Sequence, residues 1–296
     1  MANISRREAG KILVAGAAGL VAARAPAFGA AQIDSVVRGV EIGAQSYSFR
    51  DRKLDACIQG YVDCGLGECE LWQGHVEPGE DWKNREALRK WRLETPLSVF
   101  HDVRSKFANA GVKLYAYNYS FNKHMTDAEI DRGFQFAQAL GVEHITASSQ
   151  VSIARKVDEV AKKYKIMVGF HGHDNTKDSD EFSTPDTFAR AMQGASEFIG
   201  INLGIGHFTA AGGDPVTYLR EKHASIVTLH IKDRKRNQGA NVPFGEGDTP
   251  IKEVLRLLRD KNLKIPANIE YEYKGADTVE EVKKCVAYCR AAIERA

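Results

Sequence analysis

Two histidines stand two residues apart where an apolar run of the chain ends. The run, residues 166–170, is rich in residues that favour β-strands, and it leads into His171, Gly172, His173 and Asp174. Side chains alternate along a strand, so His171 and His173 are expected to point the same way. Two imidazoles with a carboxylate beside them are typical of a metal site or a proton-transfer site. The alternative is a strand end whose histidines bond to nearby backbone.

Similar groups follow the later candidate strands. His207 comes after the sixth strand, His230 lies in the seventh, and Glu270 and Glu272 share one face of the eighth. Two carboxylates that face a closed interior are costly unless a cation or hydrogen-bond donors accompany them. Imidazole and carboxylate ligands favour Zn²⁺, Mn²⁺ or a related first-row ion over Ca²⁺ or Mg²⁺. We therefore predict a divalent metal site, Zn or Mn, if the fold brings these strand ends together.

About eight short apolar runs alternate with helical patterns, which is the number of strands that a closed (β/α)₈ TIM barrel requires. The candidate strands are residues 41–46, 68–72, 113–118, 144–148, 166–171, 199–203, 226–231 and 267–273. Helix starts are indicated between them by capping patterns at Thr126 with Glu129, Thr184-Pro185, Thr249-Pro250 and Thr278 with Glu281. One barrel domain over residues 31–296 is predicted. A doubly wound open sheet is the alternative, although no glycine-rich phosphate fingerprint follows any strand.

The composition fits one large soluble domain. The chain has 296 residues and a net charge of +2, so nothing indicates nucleic acid or an anionic membrane as a partner. Five cysteines are too few for a disulfide framework, and their spacing matches no zinc-ribbon pattern. Buried or free thiols are therefore expected.

Residues 1–30 are predicted to be a twin-arginine export signal. Arg6-Arg7 precedes an apolar stretch rich in alanine and glycine, and residues 25–27 (Ala-Pro-Ala) supply a small-residue cleavage pattern. The mature protein is expected to begin within residues 28–32 and to be periplasmic, exported in the folded state. An uncleaved membrane anchor is the alternative, although the stretch is short for a membrane span.

Five segments share features with one known superfamily. They are Gly169-Phe-His-Gly-His173, Asn202-Leu-Gly-Ile-Gly-His207, His230-Ile-Lys-Asp233, Gly245-Glu-Gly-Asp248 and Ile269-Glu270. Together they resemble the xylose-isomerase-like barrel superfamily of sugar isomerases and epimerases, which also includes nucleases of the endonuclease-four type. The resemblance covers most of residues 40–290. It implies a TIM barrel that holds one divalent ion with a Glu, an Asp, a His and a second Glu from four strand ends.

Carried over by position, the resemblance implies His171, His230 and Glu270 as metal ligands. His171 stands where relatives have a glutamate, and Gly204 replaces the expected aspartate. Three protein ligands with open positions are still typical of catalytic zinc sites. The alternative is a metal site that is weakened or lost. Restoring a carboxylate with Gly204→Asp is expected to tighten metal binding.

The activity implied by the resemblance is proton transfer next to the carbonyl of a sugar or keto-sugar, by an isomerase, an epimerase or a related enolate-type lyase. Glu270 and His171 are the predicted acid and base. The predicted substrate contacts are Trp72, His75, Asn118, His173, His207, Lys232 and Glu272. Lys232, Arg234 and Lys235 could bind a phosphate, but a solvated charge run is the preferred interpretation.

Two other functions stay open. The first is a periplasmic barrel that binds a sugar without turning it over, with a degenerate metal site, and Gly204 makes this plausible. The second is a nuclease, which needs a multi-metal cluster and a basic DNA face that the sequence does not indicate. The expected partner is a small carbohydrate, with no nucleic acid and no stable membrane partner after signal cleavage.

Overall fold

Eight parallel strands close into a barrel in the computed structural model, which describes residues 30–79 and 84–295. The barrel strands are β2 (Val40–Gln45), β3 (Glu68–Trp72), β4 (Lys113–Asn118), β5 (His144–Ser148), β6 (Met167–His171), β7 (Ile199–Gly204), β8 (Ile226–Ile231) and β9 (Ala267–Ile269). A short strand, β1 (Val36–Val37), precedes them and pairs antiparallel with β2. Each barrel strand pairs with the next, and β2 closes the barrel on β9. The prediction of a (β/α)₈ TIM barrel is confirmed.

Helices surround the barrel. They are α1 (Leu54–Cys64), α2 (Arg85–Glu94), α3 (Ser98–Asn109), α4 (Asp127–Leu140), α5 (Ala154–Tyr164), α6 (Pro185–Met192), α7 (Ile205–Ala210), α8 (Pro215–Lys222), α9 (Ile251–Asp260) and α10 (Thr278–Glu294). Their apolar faces pack on the outward side chains of the strands, and the resulting layer forms the core. Within residues 30–79 and 84–295, no helix has the length and apolar character that a membrane crossing needs.

Two of the four predicted helix starts are confirmed. Thr126 and Glu129 form the reciprocal capping box of α4. Thr184 caps α6, and Pro185 is its first residue. In both cases the side-chain oxygen of the cap accepts a backbone N–H that has no partner inside the helix, which is why the local sequence is sufficient to place the helix.

The other two predicted helix starts are each wrong by one residue. Thr249 does not cap α9, because its hydroxyl accepts the backbone N–H of Arg234 instead, and the helix begins after Pro250. At α10 the cap is Asp277, whose carboxylate accepts two backbone N–H groups, whereas the hydroxyl of Thr278 donates to Asp51. In both places the predicted capping hydroxyl instead forms a hydrogen bond with a residue outside the helix.

The last strand is shorter than predicted. β9 ends at Ile269, and residues 270–273 leave the sheet. The hydroxyl of Ser48 donates to the carbonyl of Ile269 and accepts the backbone N–H of Tyr271. The Ser48 hydroxyl takes the place of a neighbouring strand as the hydrogen-bond partner of Tyr271. The chain therefore leaves the sheet after Ile269, and Glu270 is the first residue beyond the strand.

The cysteines are as predicted, since all five are buried and free: Cys57, Cys64, Cys69, Cys285 and Cys289. The predicted export signal, with its arginine pair and cleavage region, falls on residues 1–30, which lie outside the described residues except for residue 30.

Candidate functional site

The carboxyl ends of β6, β8 and β9 bring the three predicted metal ligands together. His171 is the last residue of β6, His230 lies near the end of β8, and Glu270 follows β9 directly. The imidazole centroids of His171 and His230 are 4.4 Å apart. One donor atom from each of the three residues lies within 4.8 Å of the others, which is a geometry that could hold a metal ion.

The donor atoms of this cluster are buried, and both ring nitrogens of His171 lack hydrogen-bond partners among the described residues. Nδ1 of His230 and Oε2 of Glu270 have no aligned hydrogen bond, although Oε2 of Glu270 forms an ion pair with Lys232 at 2.7 Å. The three residues are only 3%, 1% and 6% exposed. Leaving several buried polar atoms unpaired is costly, and a divalent ion would satisfy them together. The residues therefore fit a site with three protein ligands and open positions.

Glu70 orients His230 from the side opposite the candidate metal. Nε2 of His230 lies 2.9 Å from both oxygens of the Glu70 carboxylate, while its Nδ1 lies 3.1 Å from Oε2 of Glu270 without hydrogen-bond alignment. The N–H on Nε2 therefore points to Glu70, which leaves Nδ1 facing His171 and Glu270. A carboxylate behind a ligating histidine is the usual device that fixes the tautomer and raises ligand basicity.

The same contacts shift the protonation of the pair. Burial alone lowers the pKa of His230, but the carboxylates of Glu270 and Glu70 outweigh it and raise the pKa to about 10. Metal binding at Nδ1 would therefore release a proton from this ring. Burial raises the pKa of Glu270, but the charges of His230 and Lys232 outweigh it and hold the pKa well below its ordinary value. Burial, followed by the charge of His230, lowers the pKa of His171, so this imidazole is neutral and able to bind a metal.

Glu70 was not among the predicted site residues. Its carboxylate accepts the hydroxyl of Thr146 at 2.6 Å, and that hydroxyl accepts the amide of Asn118 at 3.1 Å. Asn118 was predicted as a substrate contact, but the structure places its amide behind Glu70, where it supports the network that holds His230. The signal in the sequence was the alternation of strand β3, which puts Glu70 on the inward face with Trp72.

A side chain at position 204 would meet the His171 ring, so glycine fits there without displacing it. Its φ of −76° is available to any residue. A Cβ at this position would lie 2.6 Å from Cε1 of His171 and 3.3 Å from its Nε2. The His171 ring therefore occupies the volume that a side chain at position 204 would need. For this reason we expect Gly204→Asp to weaken metal binding rather than tighten it, because an aspartate would displace a candidate ligand.

The charge run after β8 is buried, so its interpretation as a solvated run is wrong for Lys232 and Arg234, which are 1% and 8% exposed. The chain continues inward past the strand end, and residues 230, 232 and 234 keep the alternation of the strand. Nζ of Lys232 lies 2.7 Å from Oε2 of Glu270 and 2.6 Å from Oε2 of Glu272. The predicted contacts Lys232 and Glu272 therefore do lie at the site, and Lys232 brings a positive charge beside a candidate metal ligand.

Arg234 and His207 lie next to Lys232 at the same end of the barrel. The guanidinium of Arg234 contacts Asp174 at 3.0 Å and donates to the carbonyl of Gly239, so it is held by the protein itself. His207 lies between two cations, with Nε2 2.7 Å from Lys232 and Nδ1 2.7 Å from Arg234. Burial, followed by the charge of Lys232, lowers the pKa of His207 well below its ordinary value, so the ring is neutral.

His173 stands at the open side of the cluster. Its side chain is 37% exposed, and its ring lies 5.1 Å from that of His171 between centroids. Nδ1 contacts the carboxylate of Glu181 at 2.7 Å, and Nε2 lies 3.5 Å from the hydroxyl of Ser148. The period-two prediction that His171 and His173 share a face is confirmed. Glu181 was not identified from the sequence, since it lies in a loop without a motif.

Trp72 and His75 follow β3 at the same end of the barrel. The ring of Trp72 packs edge-to-face against Tyr47 at 4.9 Å and against His75 at 5.5 Å. Burial lowers the pKa of His75 to about 4, so this ring is neutral near pH 7. Aromatic rings next to a polar cluster are typical of sugar sites, and the role of Trp72 and His75 as substrate contacts stays a prediction.

A profile of the xylose isomerase-like TIM barrel family matches residues 76–291 of the chain. No curated protein matches it. Solved structures share the fold at low identity. The sugar phosphate isomerase/epimerase from Parabacteroides distasonis is 17% identical, with a TM-score of 0.61, over 90% of this chain and 98% of that one.

Two further structures are similar. The probable 3-DHS dehydratase from Bacillus anthracis is 16% identical, with a TM-score of 0.62, over 84% of this chain and 99% of that one. The xylose isomerase domain protein from Planctomyces limnophilus is 14% identical, with a TM-score of 0.64, over 87% and 98% of the two chains. The family profile covers well over half of the sequence, and these structures have the same barrel. The chain therefore belongs to the xylose isomerase-like TIM barrel family.

Proposed function

We propose that the protein is a metal-dependent enzyme that moves a proton next to the carbonyl of a sugar or keto-sugar, as an isomerase, an epimerase or a related lyase. The observation that carries the proposal is the convergence of buried donor atoms from His171, His230 and Glu270, with both ring nitrogens of His171 left without a hydrogen-bond partner. Their imidazole and carboxylate chemistry favours Zn²⁺ or Mn²⁺. The fold, which sugar phosphate isomerases/epimerases share, supports a carbohydrate as the substrate.

A bound divalent ion would polarise the carbonyl and the adjacent hydroxyl of the substrate, and the remaining roles belong to the protein. Glu70 keeps His230 in the tautomer that faces the site. Lys232 holds Glu270 and Glu272 in place and adds positive charge where negative charge develops on the substrate oxygen. Glu270 has a second carboxylate oxygen, so we propose it both as a ligand and as one proton-transfer group.

His171 is proposed only as a ligand. A ring nitrogen whose lone pair binds a metal cannot accept a proton, and burial next to His230 disfavours a charged His171 ring. The acid/base role that the sequence analysis gave to His171 therefore needs another residue.

A barrel that binds sugar without turning it over is the second candidate function. Two observations favour it. A side chain at position 204 would meet the His171 ring, so no carboxylate has room there, and Lys232 already pairs with Glu270, a candidate metal ligand. This candidate predicts sugar binding that does not depend on metal.

Metal analysis of the purified protein distinguishes the two. We expect about one divalent ion per chain, and a large loss in His230→Ala. His124→Ala serves as the control, since His124 is an exposed histidine outside the set of candidate ligands and its loss should leave the metal content unchanged. Sugar binding by a parent protein that contains no metal and takes up none from added Zn²⁺ or Mn²⁺ would support the binding barrel instead.

We also propose that the protein is periplasmic and that it meets unphosphorylated sugars there. The support is the arginine pair before an apolar stretch in the first thirty residues. Changing Arg6 and Arg7 together to lysine should retain the full-length protein in the cytoplasm, as cell fractionation and the mass of the mature chain would measure. Unchanged export of the double variant would refute this route.

A further inference from the structure

We propose that His173, oriented by Glu181, is the second proton-transfer residue of this site. The inference rests on the proposed function, because proton transfer next to a carbonyl needs an acid/base group in addition to Glu270. His173 itself was predicted as a substrate contact, and its assignment as the second proton-transfer residue is new.

The contacts of the ring fix which nitrogen is free to react. The carboxylate of Glu181 lies 2.7 Å from Nδ1 of His173, so Nδ1 carries the proton and donates it to Glu181. The lone pair is then on Nε2. Nε2 lies 3.5 Å from the hydroxyl of Ser148, which is too long for a strong hydrogen bond. Nε2 of this half-exposed ring is thus an available base.

The loop that carries Glu181 is fixed to the barrel at several points. Glu181 forms an antiparallel bridge with Gln150, and the N–H of Val151 donates to the carbonyl of Asp180 at 2.8 Å. The backbone N–H of His173 donates to the carbonyl of Phe182 at 2.7 Å. Base and carboxylate are therefore held on two segments that bond to each other, as a positioned dyad requires.

Exposure separates His173 from the other histidines of the cluster. His171 and His230 are almost fully buried, and both nitrogens of His207 face the cations Lys232 and Arg234. The side chain of His173 is 37% exposed, and its centroid is 5.1 Å from that of His171. A proton-transfer group has to exchange its proton with substrate and solvent, and His173 meets this need next to the candidate metal ligand.

The proposed step balances without any further reactant. The Nε2 lone pair takes a proton from the substrate carbon beside the carbonyl, and the electrons of the broken C–H bond move towards the carbonyl oxygen. The ring becomes an imidazolium whose charge Glu181 stabilises. In an isomerisation, His173 returns the proton to the neighbouring carbon while the hydroxyl proton on that carbon passes to the former carbonyl oxygen, which restores the ring. In an epimerisation, Glu270 takes up a proton from solvent and delivers it to the opposite face of the same carbon, and His173 releases its proton to solvent.

Alkylation with bromohydroxyacetone tests the dyad without knowledge of the natural substrate. Nε2 of His173 should displace bromide from the carbon next to the carbonyl, and peptide mass spectrometry should find the adduct on His173. Glu181→Gln should slow this labelling about tenfold or more, because the lone pair is no longer fixed on Nε2. Ser148→Ala should leave the rate unchanged, and the exposed His124 serves as an internal rate control.

Proton exchange tests the role in turnover. With metal-loaded protein, we measure deuterium uptake from D₂O into D-fructose, D-psicose and 3-keto-D-glucose. His173→Gln should lower the kcat of exchange by about 10²–10⁴ at unchanged metal content. Glu181→Gln should lower kcat and change the pH profile with KM little affected, and Glu181→Asp should restore part of the rate.

The two experiments separate the failure of this inference from the failure of the proposed function. A parent protein that exchanges no proton in any of these sugars and binds no metal refutes the proposed function, and the dyad with it. Exchange in the parent that persists in His173→Gln refutes the inference alone. Labelling that avoids His173, or that Glu181→Gln does not slow, also overturns it.

Discussion

Replacing Gly204 with alanine is expected to displace His171 and to weaken metal binding. The added Cβ would lie 2.6 Å from Cε1 of His171, whereas ordinary contacts begin at 3.4 Å, so the ring has to move by about 0.8 Å. Metal–nitrogen bonds tolerate a change of only about 0.2 Å. We therefore expect a loss in metal affinity of about 10–100-fold, or about 1.4–2.7 kcal/mol.

Isothermal titration with Zn²⁺ and Mn²⁺ at fixed pH measures this effect. Gly79→Ala is the matched control, because nothing lies within 4 Å of a Cβ at that position. In a His171→Ala background, the alanine at position 204 should cost nothing further, since the ring that it strikes is absent. Parental metal affinity in Gly204→Ala would refute the argument that His171 needs this space.

The same geometry predicts how a carboxylate could be restored at position 204. Gly204→Asp alone should weaken metal binding, because its Cβ meets His171. Combined with His171→Glu, which removes the ring, the aspartate has room and metal affinity should recover. A double variant that binds metal no better than Gly204→Asp would contradict this explanation.

Three further predictions concern buried charges. Glu70→Gln should lower metal affinity about 10–100-fold, since His230 loses the carboxylate that holds its tautomer; titration calorimetry measures this, and parental affinity would contradict it. Burial, followed by nearby carboxylates, raises the pKa of Glu68 well above its ordinary value. In the folded protein the Glu68 carboxyl therefore stays protonated, whereas in the unfolded chain it loses its proton above a pH of about 4.3. Stability should therefore fall by up to about 1.4 kcal/mol per pH unit, and Glu68→Gln should remove this slope in urea unfolding between pH 5 and pH 7. Arg92→Leu should cost about 3–5 kcal/mol in the same assay, because it leaves the buried carboxylate of Glu77 without its paired cation, and a loss below about 1 kcal/mol would refute this.

The strands, two of the four predicted helix starts and the candidate ligands could be predicted because they depend on local patterns. The apolar runs define the strands, and the alternation of side chains places His171 and His173 on one face. Barrel topology then puts all strand ends on one side, so His230 and Glu270 meet His171. The helix caps that failed, at Thr249 and Thr278, are those whose hydroxyl groups have partners far away in the sequence.

Contacts between distant segments decided the rest. Nothing near Glu70 indicates that its carboxylate meets His230, which is 160 residues away. The charge run that begins at Lys232 was interpreted as solvated from the sequence. In the closed barrel, however, the Lys232 side chain points inward and pairs with Glu270.

The sequence by itself determined the barrel, the end at which the polar residues gather and the histidine and glutamate candidates, because each follows from the periodicity of single strands. Only the tertiary structure decided that the His171 ring fills the space at Gly204 and that Glu181 orients His173. Both depend on distances between side chains from separate segments, which no local pattern contains.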